Sequence, residues 1–177
     1  MELKGERVLP VSREVAWKAL NDVDALKAAV PGCESLVAAG DNGYDVVVNS
    51  AIGPVKARFK GKLELADVLA PESYTIRFDM QGGPAGFARG DARVRLEAIE
   101  ANSTRMEYLV NASIGGKLAQ VGSRLVDAAS GAMADRFFGA FAADLANRYP
   151  SGGAAAVRRP GFFSTLWTFL KRLFGGR

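Results

Sequence analysis

Between residues 55 and 65 the chain alternates without a break. Val55, Ala57, Phe59, Gly61, Leu63 and Leu65 hold the odd positions, and Lys56, Arg58, Lys60, Lys62 and Glu64 the even ones. A period of two sends successive side chains to opposite faces, so this segment is a strand with one dry and one wet face. The pattern returns at Tyr74, Ile76, Phe78 and Met80, at Ala88, Gly90, Ala92, Val94 and Leu96, and at Met106, Tyr108, Val110 and Ala112. Residues 2–11, 35–39 and 44–52 also read as strands, the last two joined by the turn Gly40-Asp41-Asn42-Gly43. Consecutive strands with short turns predict an antiparallel meander, half buried and half solvated.

Helices flank this block. Ser12, followed by Glu14, predicts a capped helix running to Leu20, and a second short helix spans 24–30 before Pro31-Gly32. After Gly115-Gly116, residues 117–149 contain no proline and predict one long helix. The expected fold class is therefore α+β of helix-grip type, a curved antiparallel sheet around a long C-terminal helix. The expected organisation is a ligand-binding body over 1–149, a flexible linker over 150–161 and an amphipathic tail over 162–177.

Composition narrows the chemistry. The 177 residues include no histidine and one cysteine, Cys33. That removes His-dependent nucleophilic systems, His-ligated metal sites and an intramolecular disulfide framework. The strand carboxylates Glu64, Asp79, Glu97 and Glu107 fall on the wet face, where no acid–base pair can work on a buried substrate. These features predict a binder and not an enzyme, with no catalytic residues, no metal site and no covalent cofactor. Cys33 reads as a small buried residue without a neighbouring base. Gly82-Gly83-Pro84-Ala85-Gly86 matches no phosphate-binding motif and reads as a mobile loop placed to gate a cavity mouth.

The charge is uneven. Of 23 basic and 19 acidic side chains, residues 158–177 hold five basic ones and no acidic one, which leaves the body near neutral. On a helix at ~100° per residue, Phe162, Phe163, Leu166, Trp167, Phe169, Leu170, Leu173 and Phe174 share an arc of roughly 160°, with Lys171 and Arg172 beside it. Thirteen helical residues extend only ~20 Å, too short to span a bilayer. The pattern predicts an in-plane membrane anchor, and no nucleic-acid role. The first residues lack an apolar signal region, so the expected location is cytoplasmic, peripheral on the inner face of the cell membrane. A basic stripe of Lys56, Arg58, Lys60 and Lys62 beside Arg77 reads as a solvated face, with docking as the second reading.

Several blocks occur together and in order: Met1-Glu-Leu-Lys-Gly-Glu6, Pro31-Gly-Cys-Glu-Ser-Leu36, Ile52-Gly-Pro-Val-Lys-Ala57, Phe59-Lys-Gly-Lys62, Gln81 to Gly90, and Gly115 to Leu125. In these the chain resembles the carbon monoxide dehydrogenase G-subunit family, within the START-like (SRPBCC) superfamily of hydrophobic-ligand-binding proteins. The resemblance runs to about residue 148. It implies a deep apolar cavity between sheet and long helix. It also implies a molybdenum-containing CO dehydrogenase or related hydroxylase as partner, recruited to the membrane and linked by electron transfer to the quinone pool. The implied ligand is a bound quinone, menaquinone or ubiquinone, or another lipid. The alternative is a structural adaptor that anchors the partner enzyme without ligand transfer.

The residues themselves suggest where such a cavity would lie. Inward strand positions carry small residues, among them Ala92 and Ala112, and the long helix carries Gly122, Ala128, Ala129, Gly131, Ala132 and Gly139. Packed cores tolerate few voids, so these residues either allow close packing or leave room for a ligand. The expected cavity wall is Phe59, Ile76, Phe78, Met80, Ala92, Met106, Tyr108, Ala112, Leu125, Met133, Phe137 and Phe141. Tyr108 supplies a hydroxyl in mid-sheet, for a ligand carbonyl or for a backbone carbonyl.

Overall fold

The computed structural model describes residues 1–150. The predicted tail and most of the linker lie outside the described residues. Seven strands form one sheet: β1 (Glu2–Leu9), β2 (Cys33–Ala38), β3 (Gly43–Ile52), β4 (Val55–Leu69), β5 (Ser73–Gln81), β6 (Phe87–Glu100) and β7 (Ser103–Gly115). Their order across the sheet is β1-β7-β6-β5-β4-β3-β2, and every neighbouring pair is antiparallel. β1 and β2 therefore occupy opposite edges. The chain between them, α1 (Arg13–Leu20) and α2 (Val23–Ala29), crosses from one edge to the other.

Local chemistry sets these helices. The Ser12 hydroxyl accepts from the Val15 amide at 3.4 Å. Asp22 accepts from the Asp24 and Ala25 amides at 2.9 and 3.2 Å, satisfying donors that a helix start leaves free. The expected single helix over 117–149 is two pieces, α3 (Lys117–Gln120) and α4 (Ser123–Arg148). Gly122 at φ +93° adopts a conformation closed to helical residues, so the helix stops and restarts there. At its far end Arg148 donates to Asp144 at 3.0 Å and to Asp22 at 3.1 Å, tying α4 to the start of α2.

Register shifts at Ala66/Leu69 and Ala98/Glu100 bulge the long strands and increase their curvature. The main core lies where α1, α2 and α4 meet the sheet, around Leu9, Ala16, Leu20, Val94, Leu96, Met106, Phe141 and Leu145. Thr104, fully buried there, donates its hydroxyl to the Val11 carbonyl at 2.8 Å. A smaller cluster of Phe59, Ala85 and Leu118 closes the α3 end of the sheet.

Candidate ligand cavity

Parity decides which strand residues look inward. Cross-strand pairing aligns Leu65, Ile76, Ala92 and Val110 in one row and Tyr74, Val94 and Tyr108 in the next. The rows face α4, which presents Ser130, Met133, Ala134, Phe137 and Phe138. Between them lies an outer lobe of about 450 Å³, completed by Met1, by Leu3 of β1 and by Val30 and Pro31 beyond α2. Its side chains are hydrocarbon or thioether except for Ser130 and Tyr108. An inner lobe of about 120 Å³ lies nearer α1 and α2, among Leu20, Leu26, Leu36, Leu63, Leu65 and Ile76, with Tyr44 and Tyr74. The two lobes meet at Met106 and Phe137. The outer lobe opens widely to solvent, and the inner lobe is the more enclosed of the two. Packed interiors hold few voids larger than a water, whose share of liquid volume is ~30 Å³, so the inner space suits a guest.

Of the twelve predicted wall residues, the structure brings seven together. Phe78, Ala92, Tyr108 and Met133 line the outer lobe, Ile76 the inner, and Met106 and Phe137 both. The other five lie elsewhere. Phe59 and Met80 pack in the small cluster at the α3 end, because the sheet closes onto Leu118 and Ala85 there. Ala112 faces a separate cleft beside Ser123, Val126 and Asp127. Leu125 is 39% exposed, turned toward the hairpin at Gly53. Phe141 is fully buried, stacked on Phe137 with ring centres 5.5 Å apart, and so supports the wall from behind.

The helix glycines play neither expected part. A methyl group added at Gly122, Gly131 or Gly139 would meet no atom within 4 Å. They neither allow close packing nor make the cavity. The room comes from Ala92 in the sheet and Ala134 on α4. Gly82 to Gly86 is likewise not at the cavity mouth. Residues 83–85 form a 3-10 turn, the Gly82 amide donates to the Gly86 carbonyl at 2.7 Å, and Ala85 is buried against the small cluster.

Besides Ser130 and Tyr44, two tyrosines border the apolar lining, and Arg7 covers it at Phe138. Tyr108 stacks on Phe138 at 5.2 Å and lies directly over Gly5, whose missing side chain makes the seat for its ring. Among the described residues no backbone carbonyl accepts its hydroxyl. Tyr74, on the same parity, is 4% exposed and meets Trp17 of α1 edge-on at 5.3 Å. Its hydroxyl makes no hydrogen bond to another described residue; it borders the open space of the inner lobe and is not sealed in the core. Burial, with Tyr44 nearby, pushes the Tyr74 phenol well above its ordinary pKa, so it stays protonated and can donate. Arg7 of β1 pairs with Asp135 of α4 and covers the Phe138 ring at 5.3 Å.

Tyr44, Tyr74 and Arg7 were not among the residues expected at the site. The first two obey the same alternation that selected Tyr108, so the signal was present; their nearness to α1 and α2 was not.

The outer face of the sheet is largely charge-compensated. Lys62 stands between Asp45 and Asp79, Arg77 between Glu64 and Asp91, and Arg58 pairs with Glu34 at 2.7 Å. Lys56 and Lys60 of the basic stripe differ, since their cross-strand neighbours are Ala51, Val47 and Gln81, all uncharged. Burial pushes the Cys33 thiol up in pKa, and its Sγ lies 3.5 Å from the Ser35 carbonyl, which leaves it a poor nucleophile. No helix among the described residues is long and apolar enough to cross a membrane.

An antiparallel sheet gripping a C-terminal helix over an apolar cavity defines a START-like fold. A START superfamily protein from Mycobacterium smegmatis shares it, with a TM-score of 0.65 at 12% identity over 83% of this chain and 98% of the other. An aromatase/cyclase from Streptomyces sp. R1128 does too, with a TM-score of 0.62 at 11% identity over 86% and 98%. A conserved protein from Geobacillus kaustophilus reaches a TM-score of 0.79 at 26% identity over 83% and 96%. The family model for the carbon monoxide dehydrogenase G subunit (CoxG) matches residues 5–146, and the chain belongs to that family. No curated protein matches it.

Proposed function

We propose that this chain is a membrane-tethered binding protein for a lipophilic ligand, a respiratory quinone of the menaquinone or ubiquinone type. It serves and recruits a molybdenum-containing CO dehydrogenase or a related hydroxylase at the inner face of the cell membrane. One observation carries the ligand reading: a cavity of about 450 Å³ between sheet and helix, with a hydrocarbon lining and few polar groups. Such a lining favours an apolar guest held by burial, with orientation left to the few polar groups. The family supports the partner class, since it is named for a component of CO dehydrogenase. The Phe, Leu, Trp, Lys and Arg pattern of residues 162–174 supports the tether. The cavity lining contains no carboxylate and no cysteine, which supports binding over catalysis.

The test is solvent extraction of the purified full-length protein followed by mass spectrometry. The expected result is a near-stoichiometric quinone. An empty extract from folded protein, repeated after incubation with quinone-loaded liposomes, overturns the carrier and leaves an adaptor that anchors its partner without ligand transfer.

A further inference from the structure

A hydroxyl is out of place at the inner end of this cavity. The inner lobe is walled by leucines, Ile76 and Val94, yet Tyr74 and Tyr44 both face it. Tyr74 is 4% exposed, and no protein group among the described residues accepts its hydrogen. Thr104, fully buried, has its hydroxyl satisfied by the Val11 carbonyl, whereas the Tyr74 hydroxyl has only the space of the lobe before it. Phenylalanine at position 74 would keep the edge-on contact with Trp17 and leave no unpaired donor.

We infer that the inner lobe is the seat of the ligand's polar head: Tyr74, with Tyr44 beside it, donates to a ring carbonyl oxygen, and the apolar chain lies in the outer lobe along Ala92, Met133 and Phe137. This rests on the ligand reading above and fixes which end of the guest goes in first. The inner lobe holds about 120 Å³, less than the ~150 Å³ of an apolar cavity that admits one benzene ring, so a substituted quinone ring enters it by its carbonyl edge, with the remainder of the ring in the outer lobe. The outer lobe, at about 450 Å³, is the part that reaches Met1, Val30 and Pro31 at the edges of the grip. The raised pKa of the Tyr74 phenol keeps it a donor at every physiological pH, and a carbonyl oxygen is an acceptor only. A head that brings only donors would leave the tyrosine hydrogen unpaired.

Trp17 makes the head's position measurable. The chain has two tryptophans, Trp17 and Trp167, so Trp167→Phe leaves one emitter, 5.3 Å from the Tyr74 ring. Full-length protein with that change is titrated with two probes, decylubiquinone and decylbenzene, which carries no carbonyl. Displacement of a fluorescent fatty-acid probe gives both affinities. Decylubiquinone is expected to quench Trp17. Tyr74→Phe is expected to weaken decylubiquinone about tenfold and decylbenzene less than twofold, with an unchanged melting temperature. Tyr44→Phe is expected to act in the same direction and more weakly. Equal weakening of both probes, or quinone affinity untouched by Tyr74→Phe, overturns the head assignment while leaving the ligand reading intact. Absence of binding of either probe to the unsubstituted protein overturns both.

Discussion

Ala92 stands in the middle of β6, between Ile76 on one neighbour and Val110 on the other, with its methyl toward α4. A phenyl ring there would occupy the outer lobe where the guest's chain is expected. Ala92→Phe should lower probe uptake at least tenfold and leave the protein folded by circular dichroism. Ala112→Phe is the matched control. Its side chain points into a different cleft near the start of α4, so uptake should remain within twofold of the unsubstituted protein. Equal loss in both variants would mean that the cavity responds to general strain in the sheet. At this scale much of the site was legible: alternation alone placed Ile76, Phe78, Ala92, Met106 and Tyr108 on the dry face. Alternation does not say how far along the sheet the helices reach. Phe59, Met80 and Ala112 have the right parity but lie toward the α3 end, and Tyr74, of the same parity as Tyr108, lies nearer α1 and α2.

Among the elements, the joint between α2 and α4 turns on one side chain. Asp22 caps α2 and also receives Arg148 from the end of α4. The Ala25 amide holds its carboxyl below the usual carboxylate range, against a desolvation cost, helped by the Asp24 amide and Arg148. A carboxylate depressed in the folded state stabilises the fold above its unfolded pKa of about 4, and that contribution fades as pH falls through the lower folded value. Asp22→Ala should cost about 1 kcal/mol at pH 7 in urea unfolding, and the gap to the unsubstituted protein should shrink below pH 4. A gap that stays constant with pH would assign the loss to packing. On α4, Gly139 faces open space in a helix interior. Gly139→Ala should raise stability by about 1 kcal/mol without changing probe uptake, read by urea unfolding and displacement. The strands and the Ser12 cap were readable from alternation and capping chemistry, whereas Asp22 marks not only a break but the cap of α2, which starts at Val23. The break at Gly122 was not, because a proline-free stretch rich in alanine hides one glycine held at positive φ. The outer face of α4 mixes alanine and glycine among its charges, with Ala128, Ala132, Gly139, Ala140, Ala143 and Ala146 exposed, so its inward stripe was faint as well.

For the whole molecule, the body and the tail are separable in prediction. Deleting residues 159–177 should abolish co-sedimentation with anionic liposomes while the melting temperature of the remainder stays within about 2 °C, a shift smaller than ~1 kcal/mol would produce. Retained co-sedimentation would move the membrane contact to the body, where Lys56 and Lys60 are cations of the sheet's outer face without a charged cross-strand neighbour. Fold class was legible in advance because strand count, strand order in sequence and one terminal helix leave few ways to cover a single sheet. Which strand pairs with which edge is a long-range outcome, and no local signal carried it.

The pairing of the edges also governs how the molecule is made. Among the described residues β1 finds its only strand partner in β7, with Glu2 opposite Asn111. β1, made before the rest of the sheet, therefore waits for the sheet's final strand, while α1 and α2 wait with it for the surface they must cover. Contacts so distant in sequence slow folding. A nascent chain halted after β6 would still expose an unpaired β6 edge and an uncovered apolar face, the kind of surface that chaperones bind. Closure of the cavity thus comes late in the life of the growing chain. A guest can be enclosed only after synthesis of the body is essentially complete.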